Sequence, residues 1–205
     1  MKFVLFVEGH TEHKAVPAFL KRWLDQKLSE PVGIQSVRFE GWAELVKDAP
    51  NKAKLYLSEK DVIAVVALLD LYGPTFYPDN MNTADERYEW AKRYLEEKVG
   101  QDKFFQFFAV HEVEAWLLSD PSIFPPSVET QIAKRSQFPE QVNNTKPPAK
   151  FLNDVYSKHE KRRYKKVVYG KNLLAKLDPH VAYGKCPHLK GLLDKMLKLA
   201  QDATG

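Results

Sequence analysis

Short apolar runs alternate with amphipathic segments through the first 120 residues. The runs cover residues 3–7 (FVLFV), 62–69 (VIAVVALL) and 104–110 (FFQFFAV), and a further strand is predicted over residues 34–39 (IQSVRF). In the segments between them, apolar residues recur at helical spacing. Strands that alternate with helices are typical of right-handed βαβ units and a parallel sheet. We therefore predict an α/β fold with a mainly parallel sheet flanked by helices.

The first helix has an ambiguous start. Apolar residues recur at helical spacing as far as Ser29, but Pro17 lies near the beginning of the pattern. Proline removes a backbone donor and is best tolerated in the first turn of a helix. The helix is predicted either to begin near Val16 or to have a bent first turn from Thr11.

The helix before the fourth strand is the best marked. Thr83 and Glu86 have capping-box spacing, residues 87–99 are its body, and Gly100 is its C-terminal stop. Further helices are predicted over residues 42–57, from residue 112, and over 128–135, 149–158, 172–177 and 189–200.

Acidic side chains follow three of the predicted strands. Glu8 and Asp70 end two of them, and Glu112 and Glu114 come directly after a third. The carboxyl ends of parallel strands share one edge of a sheet, where ligands bind. Two carboxylates about 4 Å apart repel by roughly 4 kcal/mol at an effective dielectric of about 20, and a shared divalent cation removes that cost. We predict Glu8, Asp70 and Glu114 as metal ligands, with Glu112 in reserve.

Oxygen ligands of this kind suit Mg²⁺ or Mn²⁺, one or two ions being left open. Such ions activate water and stabilise the leaving oxygen of a phosphodiester. The predicted catalytic residues are Glu8 as ligand or general base, Asp70 as metal ligand and Glu114 as the third member. A metal-dependent nuclease or other phosphodiester-processing effector is the function that these residues favour.

Positive charge is concentrated at the C-terminal end. Residues 146–205 carry 14 basic and 5 acidic side chains, whereas residues 1–145 carry 17 and 22. We predict an α/β domain over residues 1–125 and a basic helical extension over residues 126–205 that packs on it. The extension supplies candidate contacts to DNA or RNA phosphates, the alternative being a solvated helix face: Arg162, Arg163, Lys165, Lys166 and Lys171.

Cysteine usage and hydropathy indicate the compartment. Cys186 is the single cysteine, which excludes an intramolecular disulfide and fits a reducing cytoplasm. The longest apolar stretch, residues 62–69, is too short to cross a bilayer. We expect a cytoplasmic protein without membrane contact, and its oligomeric state stays open.

Four short motifs carry a family resemblance. Residues 7–12 (VEGHTE) resemble the opening motif of TOPRIM domains, found in topoisomerases, primases and overcoming-lysogenization-defect nucleases. Together with residues 69–73 (LDLYG), 111–116 (HEVEAW) and 186–187 (CP), they more closely resemble an uncharacterised bacterial family with a TOPRIM-like core, domain-of-unknown-function family 4276. This resemblance implies acid/base or metal chemistry at the strand-end glutamate, and pairing with an ATPase in phage defence.

One departure from the TOPRIM pattern favours an alternative. TOPRIM domains usually carry Asp-x-Asp, where this chain has Asp70-Leu71-Tyr72. Glu114, or otherwise Glu112, is the hypothetical replacement for the missing ligand. The alternative function is a non-catalytic module that binds nucleic acid or protein through a degenerate site.

Other catalytic classes lack their motifs. No GxxxxGK[ST] loop, GxGxxG loop, GxSxG elbow or HExxH helix occurs in the chain. Pro78-Asp79 with Glu96 and Lys98 superficially fits restriction-type nucleases. The second element of that pattern, however, lies near the end of the well-capped helix rather than on a strand.

Overall fold

Four parallel strands form a sheet at the centre of the computed structural model, which describes residues 1–141 and 146–204. The strand order is β2-β1-β3-β4. The strands are β1 (Lys2–Glu8), β2 (Gly33–Phe39), β3 (Val62–Asp70) and β4 (Phe104–Ala109). The predicted α/β class with a parallel sheet is confirmed.

The two central strands are the most apolar. Residues 3–7 of β1 and residues 62–69 of β3 are buried, since helices cover both faces of the sheet. A parallel sheet covered on both faces is typical of continuous apolar strands rather than alternating ones. Burial on two faces therefore explains the apolar runs that the sequence shows.

Helices form a layer on each side of the sheet. The helices are α1 (His10–Asp25), α2 (Trp42–Leu57), α3 (Ala84–Val99), α4 (Glu114–Leu117), α5 (Pro126–Ala133), α6 (Pro148–His159), α7 (Lys171–Lys176), α8 (Pro179–Lys185) and α9 (Pro187–Thr204). Helices α2 and α3 share one core cluster with one face of the sheet. The opposite face shares its core with α1 and with residues of the C-terminal helices. No helix in residues 1–141 and 146–204 is long and apolar enough to cross a membrane.

Helix α1 starts close to the earlier of its two predicted starts, Thr11, and not near Val16. It begins at His10 and contains Pro17 in its second turn. Gly9 precedes it with φ of 81°, a conformation that L side chains rarely adopt. The turn at Gly9 thus brings the chain from the end of β1 directly into the helix.

Helix α3 is capped as predicted. The Thr83 hydroxyl accepts a hydrogen bond from the Glu86 N–H, and the Glu86 carboxylate accepts one from the Thr83 N–H. Gly100 is left-handed and ends the helix. The local motif was sufficient to predict the start of this helix, because both partners of the capping box lie within four residues.

The C-terminal helices are fixed on α1 by polar and aromatic contacts. The Arg22 guanidinium donates hydrogen bonds to the carbonyl oxygens of Leu174 and Leu177, at 2.7 Å each. Trp23 stacks on Tyr183, with ring centroids 4.5 Å apart. These contacts hold α7 beside α1. Residues 166–170, which directly precede α7, therefore lie at the carboxyl edge of the sheet.

The sequence analysis missed helix α8, which Asp178 caps by accepting a hydrogen bond from the His180 N–H. The boundary between residues 125 and 126 stays a prediction. Residues 142–145 and 205 of the predicted extension lie outside the described residues.

Candidate active site

Glu8 and Asp70 meet at the carboxyl edge of the sheet. They end the neighbouring strands β1 and β3, and Glu8 Oε1 accepts a hydrogen bond from the Asp70 N–H at 3.0 Å. The connection after β1 leads to β2 on one side, whereas β3 continues to β4 on the other. Such a reversal opens a crevice beyond the strands, the usual ligand site of an open α/β sheet.

An ammonium group lies among the acids of this edge. Lys166 Nζ is 3.2 Å from a carboxylate oxygen of each of Glu12, Asp70 and Glu114. Glu12 is in the first turn of α1, and Glu114 begins α4 after strand β4. We call Glu8, Glu12, Asp70 and Glu114 the acidic cluster.

Burial makes three carboxyls of the acidic cluster, those of Glu8, Glu12 and Glu114, easier to protonate than ordinary carboxyls. Desolvation and then the neighbouring Asp70 charge raise the pKa of Glu8 to about 7. Burial raises the pKa of Glu114 to about 8, although the Lys166 ammonium opposes this. Burial followed by the charge of Asp70 also raises the pKa of Glu12. These carboxyls therefore change protonation state at a higher pH than ordinary ones.

Lys166 is charged at neutral pH. Burial lowers its pKa, but Asp70, Glu114 and the other carboxylates outweigh burial, so the net shift is upward. Glu12 Oε1 and Glu114 Oε2 are buried and, among the described residues, have no hydrogen-bond partner. Lys166 Nζ is 3.2 Å from both oxygens, but the angles are not those of a hydrogen bond. Two acceptors thus point at a positively charged position while keeping unused bonding capacity.

Glu12 was missed as a site residue in the sequence analysis. It lies four positions after Glu8 in the VEGHTE motif, one helical turn from the strand end. A Cβ at Gly9 would lie 2.6 Å from Glu12 Oε2, so the glycine leaves the space that this carboxylate occupies. An acid in the first turn of a helix that leaves an acidic strand end is the signal that would have identified it.

Glu112 and Glu114 have different positions. Glu112 Oε2 accepts a hydrogen bond from the Ala149 N–H at 2.8 Å, in the first turn of α6. Glu114 instead contacts the Lys166 ammonium, which Asp70 also contacts. The Asp70 side chain is fixed in turn by the Val113 N–H, 3.1 Å from its Oδ1. Of the two glutamates, Glu114 is the one whose carboxylate meets Lys166.

The predicted phosphate-binding residues do not share one environment. Arg163, Lys165 and Lys171 are exposed. Arg162 is also exposed, but it forms an ion pair with Glu160 at 3.0 Å and lies 5.1 Å above the Tyr169 ring. Lys166 is directed into the acidic cluster and away from this exposed set.

A cleft of about 400 Å³ opens onto the acidic cluster. Its lining includes Glu8, Glu12 and Asp70 together with Lys166 and Val167. A larger cleft, of about 720 Å³, lies between the start of α3 and the start of α9. The cleft at the acidic cluster is the candidate site because convergent charged side chains line it.

Comparison with known proteins places the chain in a family. The profile of the family described as "Domain of unknown function (DUF4276)" matches residues 7–197. The chain belongs to this family. No curated protein matches this family member.

Solved structures similar to this DUF4276 member include the C-terminal region of the OLD protein of Xanthomonas campestris pv. campestris. The structure phased with iodine is 17% identical in sequence, with 99% of this chain and 98% of that chain covered and a TM-score of 0.49. The structure phased with platinum is 16% identical, with 98% and 95% covered and a TM-score of 0.46.

The donor chemistry of this DUF4276 member fits a hard divalent cation. Carboxylate oxygens are the ligands of Mg²⁺ and Mn²⁺, and two oxygens of the acidic cluster have no hydrogen bond among the described residues. The carboxylate oxygens are spaced around an ammonium group: each lies 3.2 Å from Lys166 Nζ, whereas Mg²⁺ binds oxygen at about 2.1 Å. Accordingly, within the described ranges no group of three or more His, Cys, Asp or Glu residues is spaced to hold a metal ion.

Proposed function

We propose that this protein binds Mg²⁺ or Mn²⁺ at the acidic cluster and hydrolyses phosphodiester bonds of a nucleic acid. One observation supports the proposal above all others: acids from three strand-to-helix junctions converge on one cationic position. Keeping several carboxylates together is costly unless a positive charge compensates them. The motif resemblance to TOPRIM-containing enzymes is consistent with the same chemistry.

Each acid has a role in this proposal. Asp70, Glu114 and Glu12 would hold the cation, which when bound activates water and stabilises a leaving oxygen. Glu8 has a pKa raised to about 7, which suits a group that accepts a proton near neutral pH. Its hydrogen bond from the Asp70 N–H holds its carboxylate beside Asp70 in the lining of the cleft.

Exposed basic residues close to Lys166 in sequence support a nucleic acid as the substrate. Arg163, Lys165 and Lys171 are exposed within a few positions of Lys166, and such side chains bind phosphates regardless of base sequence. The proposal covers both DNA and RNA. The family resemblance adds an ATPase partner and a role in phage defence to the proposal.

A cleavage assay tests the proposal directly. Purified protein is incubated with labelled single- and double-stranded DNA and RNA in Mg²⁺, in Mn²⁺ or in EDTA. We expect cation-dependent cleavage that Glu8→Gln and Asp70→Asn each reduce at least about 100-fold. Glu140→Gln is the matched control, since Glu140 is also a buried acid but contacts the start of α9.

Undiminished cleavage in both Glu8→Gln and Asp70→Asn would exclude the acidic cluster as the catalytic site. Mn²⁺ binding, measured by isothermal titration calorimetry, is the second readout and does not require cleavage. Loss of Mn²⁺ binding in Asp70→Asn but not in Glu140→Gln is the expected result.

A non-catalytic binding module is the second candidate. The ammonium-like spacing of the acidic cluster and the missing second aspartate at Tyr72 favour it. In that case nucleic acid binds equally well in EDTA and in Mn²⁺, and no cleavage product accumulates in either.

A further inference from the structure

Lys166 supplies the positive charge at the centre of the acidic cluster. Its side chain is 33% exposed, whereas the side chains of Glu12 and Glu114 are 6% and 2% exposed. The lysine therefore covers the buried acids from the solvent side. Lys166 lines the cleft and Glu114 does not, so a cation that enters the cleft meets the ammonium first.

Lys166 and a divalent cation exclude each other from this position. The ammonium is 3.2 Å from three carboxylate oxygens, so a cation bound to the same oxygens would lie within a few ångströms of it. Two positive charges at that separation repel strongly in a partly buried site. Cation binding in direct contact with Glu12, Asp70 and Glu114 thus requires the lysine to leave.

The segment that carries the lysine lies between two buried residues, Tyr164 and Gly170, and is open to solvent between them. It is a π-helical turn, Lys166–Gly170, which we call the Lys166 turn. Val167 and Val168 are 48% and 51% exposed, so its middle has little packing to lose. Tyr164 before the turn and Gly170 at its end are buried.

Close packing fixes the far end of the Lys166 turn. A Cβ at Gly170 would lie 3.1 Å from the Tyr164 hydroxyl and 3.3 Å from Thr11 Cγ2. These contacts fix Gly170 and leave residues 165–168 as the part able to move when the lysine withdraws. Movement is therefore confined to a few residues beside the cleft.

We propose that Lys166 is an exchangeable internal counter-ion, which a divalent cation displaces from the acidic cluster with an outward movement of the Lys166 turn. This inference rests on the cation site proposed above. It makes the lysine a determinant of cation affinity, because a ligand must outcompete whatever the unliganded state already binds. It also links occupation of the cluster to the position of exposed residues around Val167.

Two measurements on the full chain test the inference. Isothermal titration calorimetry with Mn²⁺ compares the unsubstituted protein with Lys166→Met, in which a side chain of similar length carries no charge. We expect Lys166→Met to bind Mn²⁺ at least tenfold more tightly. Lys158→Met, which removes the same charge from an exposed position of α6, is the control and leaves the affinity unchanged.

Hydrogen exchange followed by mass spectrometry is the second measurement and uses the unsubstituted protein. We expect Mn²⁺ to accelerate exchange in the Lys166 turn while leaving α3 unaffected. This experiment decides the inference if circular dichroism shows that Lys166→Met does not fold.

The outcomes separate the two proposals. Equal Mn²⁺ affinity in the unsubstituted protein and Lys166→Met, or unchanged exchange in the Lys166 turn of the Mn²⁺-bound protein, would overturn the counter-ion inference and leave the cation site in place. The absence of saturable Mn²⁺ binding in all three proteins would overturn both. Tighter binding in Lys166→Met alone supports both.

Discussion

The carboxylate of Glu8 accepts a hydrogen bond from the backbone N–H of Asp70, across 3.0 Å and 62 positions of sequence. The donor belongs to the backbone, so the bond survives substitution of the Asp70 side chain. The bond holds the Glu8 carboxylate against the end of strand β3, which also supplies Asp70. The two central strands thereby set the distance between the first two acids of the site.

This bond leads to a prediction about Glu8 itself. Glu8→Gln keeps an oxygen acceptor for the Asp70 N–H and removes a charge, whereas Glu8→Ala leaves the partly buried N–H without its partner. We expect Glu8→Ala to be less stable than Glu8→Gln by about 1 to 2 kcal/mol. Urea unfolding at pH 8 measures the difference. Equal unfolding free energies for the two variants would show that the bond contributes nothing to stability.

Gly9→Ala is expected to destabilise the protein and to disturb Glu12. The left-handed φ of 81° costs an alanine about 1 to 2 kcal/mol, and its Cβ would lie 2.6 Å from Glu12 Oε2. Gly184→Ala in α8 is the control, since no atom lies within 4 Å of its Cβ position; it should gain about 0.5 to 1 kcal/mol. Thermal unfolding compares the two, and a harmless Gly9→Ala would contradict the assigned turn.

Stability in the absence of a divalent cation is expected to fall as pH rises from 5 to 8. Burial raises the pKa of Glu140 from its ordinary value of 4.5 to about 7, so the folded state binds the proton more tightly than the unfolded state. This contribution is complete below the unfolded pKa and is lost as pH rises through the folded pKa. Glu8 and Glu114 act in the same direction.

Glu140→Gln isolates one part of that pH dependence. We expect it to reduce the loss of unfolding free energy between pH 5 and 8 by about 1 to 3 kcal/mol. Urea titrations at both pH values provide the measurement. A pH dependence identical to that of the unsubstituted protein would mean that Glu140 has an ordinary pKa in the folded state.

Nucleic-acid binding is expected to weaken with salt through the exposed cations. Each lost phosphate contact lowers the slope of log affinity against log salt by about 0.7 to 0.9. Lys165→Ala and Lys171→Ala should each do so, whereas Lys54→Ala, exposed on α2, should not. Fluorescence anisotropy at several salt concentrations measures the slopes. Equal slopes for all three variants would remove Lys165 and Lys171 from the interface.

Tyr164→Phe is expected to raise stability slightly. The Tyr164 hydroxyl is buried and lacks a hydrogen-bond partner among the described residues, and burying an unpaired hydroxyl costs about 1 to 3 kcal/mol. Tyr183→Phe is the contrast, because it removes an exposed hydrogen bond to Asp194 of 3.0 Å. Chemical denaturation should show a gain of about 1 kcal/mol for Tyr164→Phe and a small loss for Tyr183→Phe.

Several elements of the fold were predictable from local sequence. Apolar runs marked three of the four strands, the mixed segment 34–39 marked β2, and the capping box with Gly100 marked α3. The start of α1 was harder, because Pro17 lies within the helix and the deciding feature is the left-handed Gly9 before it. Helix α8 went unnoticed because it is short and has little periodicity of its own.

The candidate site was likewise predictable from the sequence only in part. Glu8, Asp70 and Glu114 follow strands of one parallel sheet, so their common edge is a consequence of strand order and could be inferred. Glu112 and Glu114 differ by two positions, but Glu114 contacts Lys166 whereas Glu112 accepts a hydrogen bond from the Ala149 N–H. Local spacing contains no information about that partner, which lies 37 positions away.

The sequence by itself determined that acids would gather at one end of a parallel sheet, because strand periodicity and chain order are local properties of the chain. Only the tertiary structure decided which cation meets them. Lys166 belongs to a basic segment that was predicted to bind phosphates or to face the solvent. It reaches the acidic cluster because Arg22 holds α7 against α1. Long-range packing selects such contacts by burial and charge, and no pattern within one element encodes them.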